Sequence, residues 1–359
     1  MAQKIDYLFL FLFLFLLCFG FLILLSASFY SAQKRFGDPF YYLKHQIILG
    51  FFGGLIFGIL IFILPSNFLK KTSFFLFLFS ILLVFFTFVP GIASPANKAY
   101  RWIKIFGFSF QPVELLKLTF ILYLAGWLES KTKRKTAYFL PFLFILGIIS
   151  LSLLAQPNFS ALILIFGIAL FLFFLAKTPL YQTFLILILG LISFLPLLKL
   201  APYRVQRILT FLNPQLDPYG ISYHLIQSKV AIGSGGIFGK GIGLSEEKLG
   251  LLPYPFSDSI FAVFAEEFGF VGVCFLLFLF FVFFLRIYQI ARKQTDEFKK
   301  LTLFGILTWF FLQTTINIGA MSGLLPLTGI PLPFVSYGGS HLMTEIAACF
   351  LVLKFSRER

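Results

Sequence analysis

Charge is what this chain has least of. Only 12% of its 359 residues are Asp, Glu, Lys or Arg, about half the share of a soluble domain, so a water-facing surface of ordinary extent is excluded. Cysteine is nearly absent. Cys18, Cys274 and Cys349 lie inside apolar runs with neither paired nor metal-type spacing, which excludes a disulfide framework and leaves them as small packing residues. No group of His, Cys, Asp and Glu reads as a metal-ligand cluster. Soluble domain, internal repeat and disordered tail are all missing, and the phosphate-loop patterns GxxxxGKS and GxxxxGKT do not occur.

What fills the chain instead is apolar. Hydrophobic residues make up 59% of it, and phenylalanine alone occurs 55 times. Apolar runs of about 20 residues, the length that crosses a bilayer, recur from end to end. In lipid the backbone must satisfy itself, so a spanning segment is a helix or part of a closed barrel. These runs are continuous rather than alternating, which predicts helices. Ten spans are expected, at about 5–28, 45–64, 72–90, 111–128, 137–155, 159–176, 180–200, 259–286, 301–319 and 340–355. The first apolar run, Ile5 to Leu25, is too long for a signal-peptide core and runs directly into further membrane segments, so it is read as a retained helix. The predicted fold class is all-α: a polytopic integral membrane protein, one transmembrane domain over 1–359, with a large extracytoplasmic loop at about 201–258 between spans 7 and 8.

Lys and Arg set the orientation. With the N-terminus inside, sixteen fall on the inner side and six on the short outer loops. Both termini are therefore expected in the cytoplasm and the long loop outside. The formal net charge of +15 reflects this topology and attraction to anionic lipid rather than nucleic acid.

Polar residues concentrate on the outer side. The segment from Pro95 to Gln111 carries Lys98, Arg101, Trp102 and Lys104. The 201–258 loop is far longer than a connection needs. It holds Arg204, Arg207, Lys229 and the run GSGGIFGKGIG, Gly233 to Gly243. Backbone N–H groups of such a run can cradle a pyrophosphate, helped by Lys229 and Lys240; an ordinary outer loop has the same composition. The segment 317–340 is dense in Gly and Pro, which predicts a re-entrant or tightly folded loop, with a packed structural loop as the competing reading. Ionisable residues in spans are costly and mark function. Glu114 and Lys117, three apart near the outer end of the fourth span, share a helical face. They are either a self-neutralised structural pair or part of the site. Asp258 opens the eighth span from outside. With Ser257 it suits a helix start, where the dipole holds a carboxylate ionised; Phe256, Ile260 and Phe261 desolvate it and push the other way. Glu266 and Glu267, two turns deeper, are expected to pair with cations or hold the long loop.

The last outer segment, with Asn317, Gly323, Pro326, Gly329, Phe334, Ser336, Tyr337, Gly338, Gly339 and Ser340, resembles the signature of the SEDS family, the FtsW, RodA and SpoVE proteins. RWI at 101–103 with FQPVELLKL at 110–118 resembles a second family block, LTFLNPQLDPYGISYHLIQSKVAIGSGGIFGKGIG the family's long outer loop, and DSIFAVFAEEFG at 258–269 its acid-plus-helix motif. Three stretches depart from the pattern. Gln156 to Ser160 stands where an acid and a Gly are common, His341 where a small residue is usual, and Pro253 to Ser257 where Pro, Glu, then His-Thr is usual. The GIGLSEEKL run looks more like the FtsW branch than RodA.

This resemblance implies about ten spans and a glycosyltransferase that polymerises lipid II, the undecaprenyl-linked disaccharide pentapeptide. It would act at the outer face of the cell inner (cytoplasmic) membrane, in cell division, releasing undecaprenyl pyrophosphate. It implies Asp258 as catalytic and Arg101, Trp102, Glu114 and Lys117 as site residues. Lys229, Lys240, Ser336, Gly338 and Gly339 join them as substrate-binding candidates. The implied partner is a class B penicillin-binding protein, a transpeptidase, with other division or elongation complex membrane proteins; nucleic acid is not a partner. The charges suit the chemistry. A carboxylate takes the acceptor hydroxyl's proton, and cations among Arg101, Lys117, Arg204, Arg207, Lys229 and Lys240 steady a leaving pyrophosphate. The motifs require no cofactor; a divalent cation such as Mg2+ is an optional assistant without a visible ligand cluster. The rivals are a lipid II flippase, which needs charge through the midplane, an elongation-type polymerase, and a scaffold that only activates its partner.

Overall fold

The computed structural model describes residues 5–358 other than 90, 92, 97, 98, 106, 107, 135–138, 200, 201 and 221, and the backbone alone at 93–96, 99, 105, 108, 131–134, 194–199 and 202–204. Lys98, the side chain of Arg204 and the inner cations at 4, 131, 133–135 and 359 lie outside the described residues. In chain order the helices are α1 (Tyr7–Phe36), α2 (Tyr41–His45), a π-helical segment (Gln46–Phe52) leading into α3 (Gly53–Ile63), α4 (Ser66–Phe86), α5 (Pro112–Arg134), α6 (Phe139–Ala155), α7 (Phe159–Leu175) and α8 (Leu180–Lys199). There follow α9 (Pro202–Leu212) and α10 (Tyr223–Ser234) within the long loop, then α11 (Ile260–Arg292), α12 (Glu297–Ser322) and α13 (Gly339–Arg357). A helix stands at each of the ten expected spans. Among the described residues, five segments are long and apolar enough by themselves to cross a membrane: Tyr7–Phe36, Tyr41–Ile63, Ser66–Phe86, Ile260–Arg292 and Glu297–Ser322.

The fold is nearly all-α. Among the described residues there is one small antiparallel sheet, in the order β1 (Ala93–Ala96), β2 (Ala99–Ile105), β3 (Phe108–Phe110), and it precedes α5. Spans and topology alone predict no strand here; the signal is the aromatic and β-branched content of AYRWIKI. Ser94 faces Trp102 and Ile103 faces Phe110 in the register, so Arg101 and Trp102 ride on the central strand.

Close helix contact depends on small residues, as membrane packing requires. A Cβ on Gly54 would stand 2.8 Å from the Cβ of Ile346, and one on Gly58 would stand 2.4 Å from the Phe350 ring, so α3 lies directly against α13. At the start of α1, Asp6 caps the helix through Phe9 N–H (3.1 Å) and takes Arg286 of α11 at 2.9 and 2.8 Å. In the centre, Phe334 sits in an aromatic cage, its ring 5.9 Å from Phe13, 5.5 Å from Phe283 and 5.3 Å from Phe310. Such pairs each contribute about 0.5–1.5 kcal/mol beyond area burial. The glycine- and proline-rich segment is thus pinned into the bundle at its middle rather than draped over it.

The glycine run proves to be a helix repair. Helix α11 breaks at Gly269, whose φ of 64° and ψ of −165° interrupt the ladder. In an unbroken helix, Phe270 and Val271 N–H would bond to the carbonyls of Glu266 and Glu267. Here those carbonyls accept instead from the N–H groups of Lys240 (2.9 Å) and Gly241 (3.0 Å), while Phe270 and Val271 N–H donate to Gly236 (2.9 Å) and Ile237 (3.0 Å). All four backbone groups are satisfied, as the membrane interior demands. The approach leaves no room for side chains: a Cβ on Gly239 would meet the Glu267 carbonyl at 2.1 Å, and one on Gly269 would meet Gly239 N at 2.3 Å.

Candidate active site

Asp258 lies in the turn that leads into α11, and its placement is heavily determined. Asn317 of α12 donates to the Asp258 carbonyl (3.0 Å) and to that of Ile330 (2.7 Å). Ser336 Oγ donates to the Ser257 carbonyl (2.7 Å) and accepts from Leu332 N–H (2.8 Å). Tyr337 N–H donates to the Phe256 carbonyl at 2.9 Å. The segment 317–340 therefore grips three successive residues, 256 to 258. It is held in turn by Gln46, which accepts from Gly338 N–H (2.9 Å) and donates to the Ser336 carbonyl (3.3 Å).

The carboxyl of Asp258 faces a cavity of about 350 Å³ lined also by Arg207, Thr210 and Phe211 of α9, Ser222 just before α10, His224 and Leu225 of α10, and Tyr254, Leu327 and Gly329. Gly329 is required by space as well as by its φ of 70°, since a Cβ there would stand 3.3 Å from Asp258 Oδ2. Burial pushes the Asp258 pKa above the usual aspartate value, against a hydrogen bond from Ser257 Oγ (3.0 Å) and the positive charges of Arg207 and Arg101. The result is a carboxylate of raised basicity beside two cations, suited to taking a proton from a hydroxyl while negative charge leaves nearby.

Arg101 is half-buried on β2, donating to the carbonyls of Gln156 (3.4 Å) and Pro157. Trp102, half-buried beside it, is in the same strand. The altered stretch 156–160 keeps a structural role: Asn158 caps α7 by accepting from Ala161 N–H (3.4 Å), and Ser160 donates to the Thr328 carbonyl. The Asn158 side chain serves as a cap because it offers an oxygen to the first-turn N–H groups.

Glu114 and Lys117 do pair, at 2.7 Å, with both side chains at most 7% exposed. They are half of a larger network. His341 Nδ1 stands 3.0 Å from Glu114 and its Nε2 3.0 Å from Glu345. Gln313 accepts from Lys117 (3.3 Å) and Trp309 (2.7 Å), and donates to Glu345 (3.2 Å) and the Pro331 carbonyl (3.1 Å). Glu345 also accepts from Phe334 N–H at 2.9 Å. Both His341 nitrogens face carboxylates, which defines an imidazolium and leaves the four charges balanced. Lys117 is therefore engaged behind the cavity, supporting the segment that grips Asp258, rather than lining the cavity itself.

The remaining candidates are spread out. Lys240 is bound to Glu266 (2.8 Å) and Glu246 (3.5 Å), and its N–H, like that of Gly241, is spent on the α11 break. Lys248 is buried against Glu267 and Ser26. Lys229 is exposed, its stem lying over Gly323 at the end of α12. Gly338 caps α13 and binds Gln46, and Gly339 permits contact with Leu49, whose Cβ a methyl would meet at 3.1 Å. Gln46, His224, Gln313 and Glu345 escaped the sequence-based list. Gln46 carries no local pattern, but His341 and Glu345 at i and i+4 in an apolar span are a visible pair. Among the described residues no group of three or more His, Cys, Asp or Glu gathers as a metal site.

A multi-pass helical membrane protein with an acid-and-cation cavity between its long-loop helices and a glycine-rich clamp is the class these features define. The FtsW/RodA/SpoVE family model, described as cell cycle protein, matches residues 6–359, and the chain belongs to that family. It is 38% identical over 346 residues to the probable peptidoglycan glycosyltransferase FtsW of Coxiella burnetii, covering 94% of this chain and 92% of that one. Against stage V sporulation protein E of Bacillus subtilis the identity is 35% over 343 residues, covering 94% and 93%. Among solved structures, the rod shape determining protein RodA of Thermus thermophilus superposes with a TM-score of 0.73 at 26% identity, covering 99% of this chain and 98% of that one. A chain of a peptidoglycan synthase complex that coordinates polymerization and crosslinking gives 0.80 at 28% identity, again covering 99% and 98%.

Proposed function

We infer that the chain is a peptidoglycan glycosyltransferase that polymerises lipid II at the outer face of the cytoplasmic membrane. The observation that carries this is the placement of Asp258: a half-buried carboxylate of raised basicity, on a 350 Å³ cavity, with Arg207 in the lining and the charge of Arg101 in reach. Asp258 accepts the proton of an acceptor sugar hydroxyl as its oxygen attacks the donor's anomeric carbon. The C–O bond to the pyrophosphate breaks with its electron pair on the leaving oxygen, whose charge Arg101 and Arg207 stabilise. A single displacement inverts the anomeric centre. Trp102, beside Arg101, and Lys229, the exposed cation of α10, complete the proposed contacts to the donor.

Mg2+ usually binds through one or two carboxylates together with substrate phosphates. Asp258 and a bound pyrophosphate fit that donor set, so a divalent cation is proposed as an optional assistant. A class B penicillin-binding protein is the proposed partner, in line with the synthase complex superposed above, and cell division the proposed setting, in line with the FtsW relatives. The distribution of Lys and Arg supports a topology with both termini in the cytoplasm. Purified protein given fluorescent lipid II separates the readings. Glycan polymer supports the enzyme; lipid moved across a vesicle without polymer would establish a flippase; neither, with restoration of a partner's activity, would establish a scaffold.

A further inference from the structure

His224 is the second residue of α10 and lines the same cavity as Asp258. Its Nε2 is within hydrogen-bond reach of Ser259 Oγ, the residue after the acid. The direction of that bond follows from the serine. Ser259 has one hydroxyl proton, and it donates this to the Pro253 carbonyl at 2.7 Å. Ser259 Oγ must therefore accept from His224, which fixes the Nε2–H tautomer and leaves Nδ1 as an acceptor. Among the described residues Nδ1 has no partner. Of the other polar lining groups, the Arg207 guanidinium can only donate, and Thr210 spends its hydroxyl proton on the Gln206 carbonyl of its own helix (2.8 Å). Hydroxyls and acetamido N–H groups of a saccharide are donors, and a ring-nitrogen lone pair on the same cavity as the Asp258 carboxylate adds an acceptor for one of them. Burial, and the charge of Arg207, lower the His224 pKa to about 4, so at neutral pH the ring is uncharged and its lone pair is available.

We propose that His224 is a saccharide-binding residue of this cavity: its Nε2–H ties down the turn that bears Asp258, and its Nδ1 accepts a hydrogen bond from a hydroxyl or acetamido N–H of a substrate sugar. The proposal rests on the reading of Asp258 as the base of a glycosyl transfer. The two functions of the ring separate experimentally. Ser259→Ala removes only the tie, so it lowers kcat for lipid II polymerisation with little change in KM. His224→Phe removes both, so it lowers kcat similarly and also raises KM about 5- to 10-fold, the worth of one neutral hydrogen bond. His224→Gln offers a donor and an acceptor on one planar group, and restores KM to within about 3-fold.

Lipid II affinity is then measured in the Asp258→Asn background, where turnover does not interfere. There His224→Phe weakens binding by the same 5- to 10-fold. Equal affinity with and without His224→Phe in that background overturns the sugar contact, whatever Asp258 does. Equal damage from Gln and Phe, with KM unmoved in both, overturns it as well and leaves a packing role. Wild-type turnover by Asp258→Asn itself sinks the base assignment and does not depend on His224.

Discussion

The buried network of Glu114, Lys117, His341 and Glu345 makes a quantitative prediction about stability. Its two acids and two cations are between 0% and 7% exposed at the side chain. Lys117→Met leaves two carboxylates against one imidazolium, and Glu114→Gln leaves two cations against one carboxylate. Breaking a buried pair from one side costs about 3–5 kcal/mol. At roughly 2 °C per kcal/mol for a chain of this size, each single variant should lose on the order of 6–10 °C in a thermal-shift assay in detergent. The double variant restores balance, because His341 and Glu345 remain as a neutral pair 3.0 Å apart. What it still loses is the Lys117 ammonium over the Trp309 ring, 4.9 Å from its centroid, a contact worth about 1–2 kcal/mol. Its Tm should therefore fall by roughly 2–4 °C, less than either single. A second cycle on His341→Ala and Glu345→Gln should show the same non-additivity. Losses that simply add in the first cycle would refute the pairing, and additivity in the second would refute the imidazolium.

Asp258→Asn should cut lipid II polymerisation by on the order of 100-fold or more while leaving Tm equal or higher, since burial makes the ionised carboxylate a cost to folding at neutral pH. The sign follows from the raised pKa: activity needs the ionised base and is lost as pH falls through that value, so the acid limb of kcat/KM should lie above the ordinary aspartate value of 3.8; a limb at or below it would contradict the desolvated site. Gly239→Ala should abolish accumulation of folded protein, since its φ is 81° and its Cβ would meet the Glu267 carbonyl at 2.1 Å, while Gly233→Ala, with nothing within 4 Å, should be tolerated; equal yields of the two would dismiss the plugged-helix account. Lys240→Gln should lower Tm without changing the KM for lipid II, because its partner Glu266 is fully buried, whereas Lys229→Gln should raise that KM; the reverse pattern would return the pyrophosphate contact to Lys240.

The ten spans were legible because a 20-residue apolar run has few other uses, and the Glu114–Lys117 pair because residues three apart on one helix share a face. The junction of that pair with the His341–Glu345 pair and Gln313 was not. Nothing in the spacing of residues 114, 313 and 345 says that they converge, since α5, α12 and α13 meet only in the folded bundle. The same holds for Gln46, whose single amide joins a π-helical segment to the carbonyl and N–H groups of residues nearly three hundred positions later.

The run from Gly233 to Gly243 shows why composition alone misassigns chemistry. Two structures need bare backbone N–H groups pointing the same way: an anion cradle and a graft onto a broken helix. Both select glycine, because both bring backbone to within contact of another group. They differ only in what lies opposite, a phosphate or a pair of orphaned carbonyls, and that partner is 26 residues further along the chain, at Glu266 and Glu267. The identity of the partner also decides what the lysine beside it does. Facing a phosphate, Lys240 would be a ligand; facing Glu266, it neutralises the acid that the break brings close. Because Lys240 and Gly241 spend their N–H groups and Lys240 its charge on α11, the positive charges that reach the Asp258 carboxylate are those of Arg101 on β2 and Arg207 on α9, from two different elements; under the proposed function it is these two that would meet the leaving pyrophosphate.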